Sequence, residues 1–237
     1  MPGPSRPVAL VSGATSTIGR AIAVGLAQDG YDLVLWGRET DRLAGTAEAV
    51  RSGGGEARTE AFDLRDRAAL DAAAGAVGPL RALVWAAGAF DYGTPDTLEP
   101  DAIEAVLDTV LVAAARTARL VLPALLAAPQ PASLVLLGSG ADRSAFPGNA
   151  TYVAAKHGLR GLADALHLDL RKRGVRVTLV SPGLVAAGAG LGAPGAEERR
   201  DELLQPEDVA AAVRFAVGFP GPGSVLHLDL EPRAALG

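Results

Sequence analysis

The sequence predicts a doubly wound α/β fold: one seven-stranded parallel sheet flanked by helices on both faces, with residues 1–237 forming a single domain. Three observations carry that expectation. Short Val/Leu-rich runs alternate with longer Ala-rich stretches of helical period. The order is strictly strand, helix, strand, which favours parallel pairing through right-handed crossovers. Half of the residues are hydrophobic (49%) but only 4% are aromatic, so the core must be assembled from Ala, Val and Leu, as in a buried parallel sheet.

In chain order, 7-PVALVS-12 reads as the first strand and leads into a helix near 18–29. The run 31-YDLVLW-36 is the second, followed by a helix near 39–52, and 56-EARTEAF-62 is the third, followed by a helix near 66–76. The fourth strand, 80-LRALVWAA-87, precedes a long helix over 101–127. The fifth, 132-ASLVLLGS-139, precedes a helix over 151–173 whose end carries 171-RKR-173, a basic triplet suited to a helix C-terminus. The sixth strand, 174-GVRVTLVS-181, is followed by a helix near 206–217, and 224-SVLHLDL-230 closes the sheet. Between them, 188-GAGLGAPGAEERRDELLQP-206 is rich in Gly, Pro and charge. At the carboxyl edge of such a sheet it reads either as a substrate lid or as a plain surface loop with a short helix.

Composition removes several function classes. The net charge is −5, with 22 basic against 27 acidic residues and no dense basic cluster, which argues against a nucleic-acid partner. With 0 Cys, disulfides, thiolate metal sites and cysteine catalysis are excluded, and the scattered His157, His167 and His227 lack ligand spacing, so no metal site is expected. The start, MPGPSRPVALV, lacks the pattern of a secretory signal, and no apolar run is read as reaching the roughly 18 residues that span a bilayer. No membrane association and a cytoplasmic location are therefore expected.

The segment 12-SGATSTIG-19 falls at the first strand-to-helix turn, where free helix N–H groups and the helix dipole favour an anion. Gly13 permits a tight turn, and Gly19 permits close packing of helix on strand. An ordinary turn would use the same residues, so the loop alone does not decide the matter.

The most informative stretch is 139-SGADRSAFPGNATYVAAK-156. Ser139 ends the fifth strand, and Tyr152 and Lys156, at i and i+4, share one helix face and can address the same small volume. Carbonyl reduction, or its reverse, needs this trio. A phenol is a poor proton shuttle near neutrality until an adjacent ammonium stabilises its phenolate, and a serine hydroxyl can donate to the substrate oxygen as charge develops there.

Together these features resemble the short-chain dehydrogenase/reductase family, whose glycine loop reads TGxxxGxG and whose site is a Ser/Tyr/Lys set. The resemblance covers essentially the whole chain and implies a Rossmann fold. It also implies roles: Tyr152 as acid/base, Lys156 also on the nicotinamide ribose, and Ser139 orienting substrate. Cofactor contacts are implied at Gly13, Thr15, Thr17, Ile18, Gly19, Arg38, Asp63, Leu64, Ala87, Gly88, Tyr152, Lys156, Pro182, Gly183 and Val185. Asp63 matches an adenine-contacting aspartate and could equally be a helix N-cap.

The chain also departs from the family pattern. Ser12 replaces the loop threonine and Thr17 its middle glycine, so the Thr17 side chain either crowds the pyrophosphate or, at negative φ, offers it a hydroxyl. Trp85 and Ala86 stand for the asparagines of NNAG, and Val110 falls where the family has an asparagine that links Lys to a water relay. In 181-SPGLVAA-187, matching PGxVxT, Ala187 replaces the threonine that meets the carboxamide. At the end of the second strand, 35-LWGRET-40 places Arg38 where it can pair with a 2′-phosphate, with no carboxylate at Gly37. NADP(H) is thus favoured, with NAD(H) the alternative.

The implied activity is reduction of a ketone, or oxidation of a secondary alcohol, with a small molecule as substrate. The alternatives are a nucleotide-binding regulator without catalysis, motivated by the accumulated departures, and an isomerase or dehydratase on the same fold. Phe90, Phe146 and Leu191 are candidates to line the substrate pocket. Wide apolar faces on helices 101–127 and 151–173 resemble those that pair subunits in the family, implying a homodimer or homotetramer.

Overall fold

The computed structural model describes residues 6–193 and 195–233. Its strands are β1 (Val8–Ser12), β2 (Asp32–Gly37), β3 (Ala57–Ala61), β4 (Ala82–Trp85), β5 (Ala132–Leu137), β6 (Val175–Pro182) and β7 (His227–Leu230). All pair in parallel, in the order β3-β2-β1-β4-β5-β6-β7. The helices are α1 (Thr17–Gln28), α2 (Thr40–Ser52), α3 (Arg67–Gly75), α4 (Pro100–Leu107), α5 (Ala113–Ala127), α6 (Ala150–Leu170) and α7 (Pro206–Gly218).

Alternation along each strand sorts the sheet into two buried faces. Leu10, Trp36, Leu83, Trp85, Leu134 and Leu136 pack with residues of α3, α4, α5 and α6, while Ala9, Val11, Leu35, Val84, Val135 and Val180 pack with α1, α2 and α7. The resulting three layers are those the alternating pattern predicts. The two edge strands differ from the near-continuous apolar expectation: β3 (ARTEA) and β7 (HLDL) are largely intermediate or exposed. An edge strand has a neighbour on one side only, so its polar side chains reach water.

Two sequence expectations about the long helix are corrected. It is not uniform: a π-helical turn at Asp108–Val112 separates α4 from α5, so the ladder is interrupted in mid-helix. And where no apolar run is expected to approach the roughly 18 residues of a bilayer span, Pro100–Ala127 runs for 28 residues and contains an 18-residue window of mean hydropathy 1.7, matching a span by length and composition alone. Its apolarity has a local cause. Val106, Val110, Ala113, Ala114, Val121 and Leu125 form a buried stripe within the core that includes Leu83, Trp85 and Leu134 of the sheet.

The chain visits β1, β2 and β3 on one side and then crosses to β4 on the other, so the order reverses between β1 and β4. In an open parallel sheet, the crevice outside the carboxyl ends at that reversal is where ligands bind.

Candidate active site

At the carboxyl end of β1, Gly13 takes φ +68°, and a Cβ there would lie 2.8 Å from the Ala86 carbonyl oxygen and from the backbone of Ala87. Backbone meets backbone across the β1/β4 crevice, which only glycine allows. The hydroxyl of buried Ser12 accepts from the Ala87 N–H at 3.3 Å and fixes that approach. Ser16 caps α1: its hydroxyl accepts from the Gly19 N–H (3.0 Å) and donates to the Gly13 carbonyl (2.8 Å). A Cβ at Gly19 would collide with that same carbonyl. Thr17 opens α1 with an exposed side chain, and no residue other than glycine has positive φ among the described residues. Of the two geometries open to Thr17, the chain adopts negative φ. The N–H groups of Thr17 and Ile18 find no acceptor among the described residues, as is usual in the first turn of a helix.

Across the crevice, Thr15 lies against Gly37, where a Cβ would come within 2.6 Å of the threonine methyl. Arg38 follows as an exposed side chain with no ion pair among the described residues, whereas Glu39 is engaged by Arg42 at 3.1 Å. Beyond β3, Leu64 is buried in the core, and Asp63 does not cap a helix: the α3 N-cap is Asp66, which accepts from Ala68 and Ala69. Asp63 instead accepts from Arg65, whose Nη2 lies 2.7 Å from Oδ2. That hydrogen bond, ahead of the nearby Arg38 charge, holds the Asp63 carboxyl below its ordinary range. Arg65 is a second cationic side chain that the sequence reading passed over; its signal was its place two residues after Asp63.

The Ser139, Tyr152 and Lys156 positions converge at the carboxyl end of β5. Lys156 is only 5% exposed, and its Nζ donates to the Leu137 carbonyl at 2.7 Å, two residues before Ser139. The same Nζ stands 5.5 Å from the centroid of the Tyr152 ring. Phe90 packs edge-on against Tyr152 with ring centroids 5.0 Å apart and is about half exposed, while Phe146 is half exposed in the loop before α6, with no aromatic contact to Tyr152 among the described residues. Ser139 is extended (φ −172°, ψ 161°), and its hydroxyl accepts from the Ala141 N–H. Its own N–H donates to Asp142, a buried carboxylate that the sequence reading did not single out. The Ser-x-x-Asp spacing of a capping box was the available signal.

Val110, in the π-helical turn, is fully buried and apolar, so its side chain holds no water. Trp85 fills the core, while Ala86 and Gly88 leave the end of β4 without side-chain amides. After β6, the Pro182–Gly183 turn is held by the Gly183 N–H donating to the Leu230 carbonyl at 2.7 Å, and Val185 is buried. The following segment has a small apolar cluster of its own, built on Ala186, Ala196 and Leu203 with Leu191 packed against it. Short 3-10 turns lie at Gly188–Gly192 and Arg200–Glu202. Leu191 thus belongs first to that cluster.

The depressed Asp63 carboxyl yields a titration test. A carboxyl lowered by folding stabilises the fold above its unfolded value, and that contribution is lost as pH falls through the folded value. Arg65→Ala is expected to raise the Asp63 midpoint toward that of an ordinary aspartate when followed by carboxyl NMR; an unchanged midpoint would show that Arg65 does not hold it.

The family model described as short chain dehydrogenase matches residues 7–192. Sulfoacetaldehyde reductase 2 of Chromohalobacter salexigens is 32% identical, with 95% of this chain and 94% of that protein covered. Glycine betaine reductase of Emericella nidulans is 30% identical over 95% of this chain, which spans only 19% of that longer protein. An actinorhodin polyketide ketoreductase solved with NADPH superposes with a TM-score of 0.86 at 28% identity, covering 96% of each chain. The chain therefore belongs to the short-chain dehydrogenase family, as an oxidoreductase acting on carbonyl or CH–OH groups.

Proposed function

We propose that the chain is an NADP(H)-dependent ketoreductase that interconverts a ketone and a secondary alcohol through Ser139, Tyr152 and Lys156. The observation that carries this reading is the Lys156 contact. A buried ammonium is bound to the last carbonyl of β5 and stands beside the ring of Tyr152, next to the strand end that bears Ser139. In the reducing direction, Ser139 donates to the carbonyl oxygen and Tyr152 passes its hydroxyl proton to it. The Lys156 charge stabilises the phenolate left behind. Solvent refills the tyrosine, and the reverse sequence oxidises the alcohol.

The residues present fit a nicotinamide dinucleotide. Gly13 and Gly19 stand where a Cβ would fill the turn, the N–H groups of Thr17 and Ile18 have no acceptor among the described residues, and Gly88 leaves open space at the end of β4. Thr17 would offer its hydroxyl and N–H to the pyrophosphate, Asp63 and Leu64 would hold the adenine, and Ala87, Pro182, Gly183 and Val185 would hold the nicotinamide. When bound, the cofactor supplies or accepts the hydride, and the protein supplies orientation and charge.

Arg38, exposed and with no ion pair among the described residues, supports NADP(H) over NAD(H), since a guanidinium suits a 2′-phosphate. The half-exposed Phe90 ring, edge-on against Tyr152, supports an apolar carbonyl substrate. The relatives' names, which include a sulfoacetaldehyde reductase and a polyketide ketoreductase, are consistent with reduction of small or acyl-borne carbonyls. Exposed Val112 and Leu168 support assembly into a homodimer or homotetramer.

Tyr152→Phe is expected to lower kcat by at least about 100-fold while leaving NADPH affinity in place, measured by steady-state turnover beside fluorescence titration. Retained turnover would remove Tyr152 as the proton donor. Arg38→Ala is expected to weaken NADPH binding by roughly 10-fold to 100-fold with NADH binding nearly unchanged, since only NADPH carries the 2′-phosphate. An equal loss for both cofactors would contradict the assigned preference.

A further inference from the structure

Behind Ser139 lies a polar cluster that the proposed reaction does not use. Asp142 is 1% exposed, and its carboxylate is fully engaged. Oδ2 accepts from the Ser139 N–H at 3.1 Å and from the hydroxyl of buried Ser181, while Oδ1 accepts from Arg160 at 3.2 Å, with Arg143 at 3.7 Å. The cluster continues outward. Arg160 donates to Nδ1 of His227 at 3.2 Å, whose Nε2 donates to Asp164 at 2.7 Å, and Arg143 pairs with Asp229 and Glu231 at 2.6 and 2.8 Å.

Removing a carboxylate from water demands opposite charge and hydrogen bonds on both oxygens, and Asp142 has both. A second feature shows that the backbone makes room for it. A Cβ at Gly138 would overlap both the Asp142 carboxylate and the Ser181 hydroxyl, so a side chain at 138 would expel the acid from its place. The position thus depends on a glycine one residue before the serine and on an acid three residues after it. These groups lock the β5-to-α6 turn in which Ser139 takes its extended conformation.

We infer that Asp142 is a positioning residue for Ser139: its buried carboxylate fixes the backbone that aims the Ser139 hydroxyl at the substrate oxygen. This inference rests on the proposed role of Ser139. Ser181 leads directly into the Pro182–Gly183 turn, so NADPH affinity is followed beside turnover to separate an effect on the serine from one on that turn.

A double-mutant cycle with Ser139→Ala tests it. Asp142→Asn keeps the shape but cannot accept from every donor around the carboxylate. It is expected to lower kcat about 10-fold in the parent, with NADPH affinity changed less than about threefold, and to lower kcat less than about twofold in the Ser139→Ala background. Amide hydrogen exchange at Ser139 should quicken in Asp142→Asn, a readout independent of turnover. Ser181→Ala, which removes one donor and keeps the charge, is the milder variant should Asp142→Asn fail to fold; its smaller loss should vanish in the same background. Equal losses in parent and Ser139→Ala backgrounds would overturn the inference while leaving the role of Ser139 standing. Full activity in Ser139→Ala alone would instead overturn that role, and the inference with it.

Discussion

The hydrogen bond from the Lys156 ammonium to the Leu137 carbonyl is the constraint around which the site is built. It joins the second turn of α6 to the end of a fully buried strand, and so sets the rotation and height of the helix against the sheet. Tyr152, one turn earlier on the same face, is carried to the strand end, where Ser139 follows two residues after Leu137. The packing around α6 agrees with that placement. Ala155 and Leu159 enter the core, and Gly158 lets the helix close on Leu111 of the π-helical turn, where a Cβ would come within 2.7 Å of the leucine side chain. A buried cation with one carbonyl for a partner is tolerable only if the helix cannot drift, so packing and electrostatics require each other here.

A comparable economy governs the other half of the crevice. Asparagine amides are absent after β4, yet the Ser12 hydroxyl reaches across from β1 to the Ala87 N–H, so the two strand ends stay joined where Gly13 passes close to Ala86 and Ala87. Trp85 uses its bulk differently. It lies in the same cluster as Trp36, in register on either side of Ser12, and its indole N–H has no partner among the described residues. The side chain stabilises the sheet by area rather than by hydrogen bonding.

Much of this was legible from the chain alone, because the signals were periodic or local. Apolar runs separated by Ala-rich helices give all seven strands and their parallel pairing, and the i, i+4 spacing of Tyr152 and Lys156 needs only a helix to become proximity. What escaped depends on which of several available partners the fold selects. Asp63 reads equally as an adenine-contacting aspartate or a helix N-cap, and the cap fell to Asp66 while Arg65 took the carboxylate. The burial of Asp142 depends on Ser181 and Arg160, which no short window contains. The π-helical turn at Asp108–Val112 arises inside a run with unbroken helical character, and the polar faces of β3 and β7 follow from edge positions that only the sheet order reveals.

The central claim is that this chain reduces a carbonyl group with NADPH, and the most direct measurement is product mass. The purified protein is incubated with NADPH and a panel of ketones, short aldehydes and β-ketoacyl thioesters, while absorbance loss and product mass are followed together. The account predicts at least one substrate converted to a product heavier by two hydrogens, with matching consumption of NADPH. Saturable NADPH binding with no carbonyl reduced across the panel would contradict it and favour a nucleotide-binding regulator; a product of unchanged mass, or one lighter by water, would point to isomerisation or dehydration.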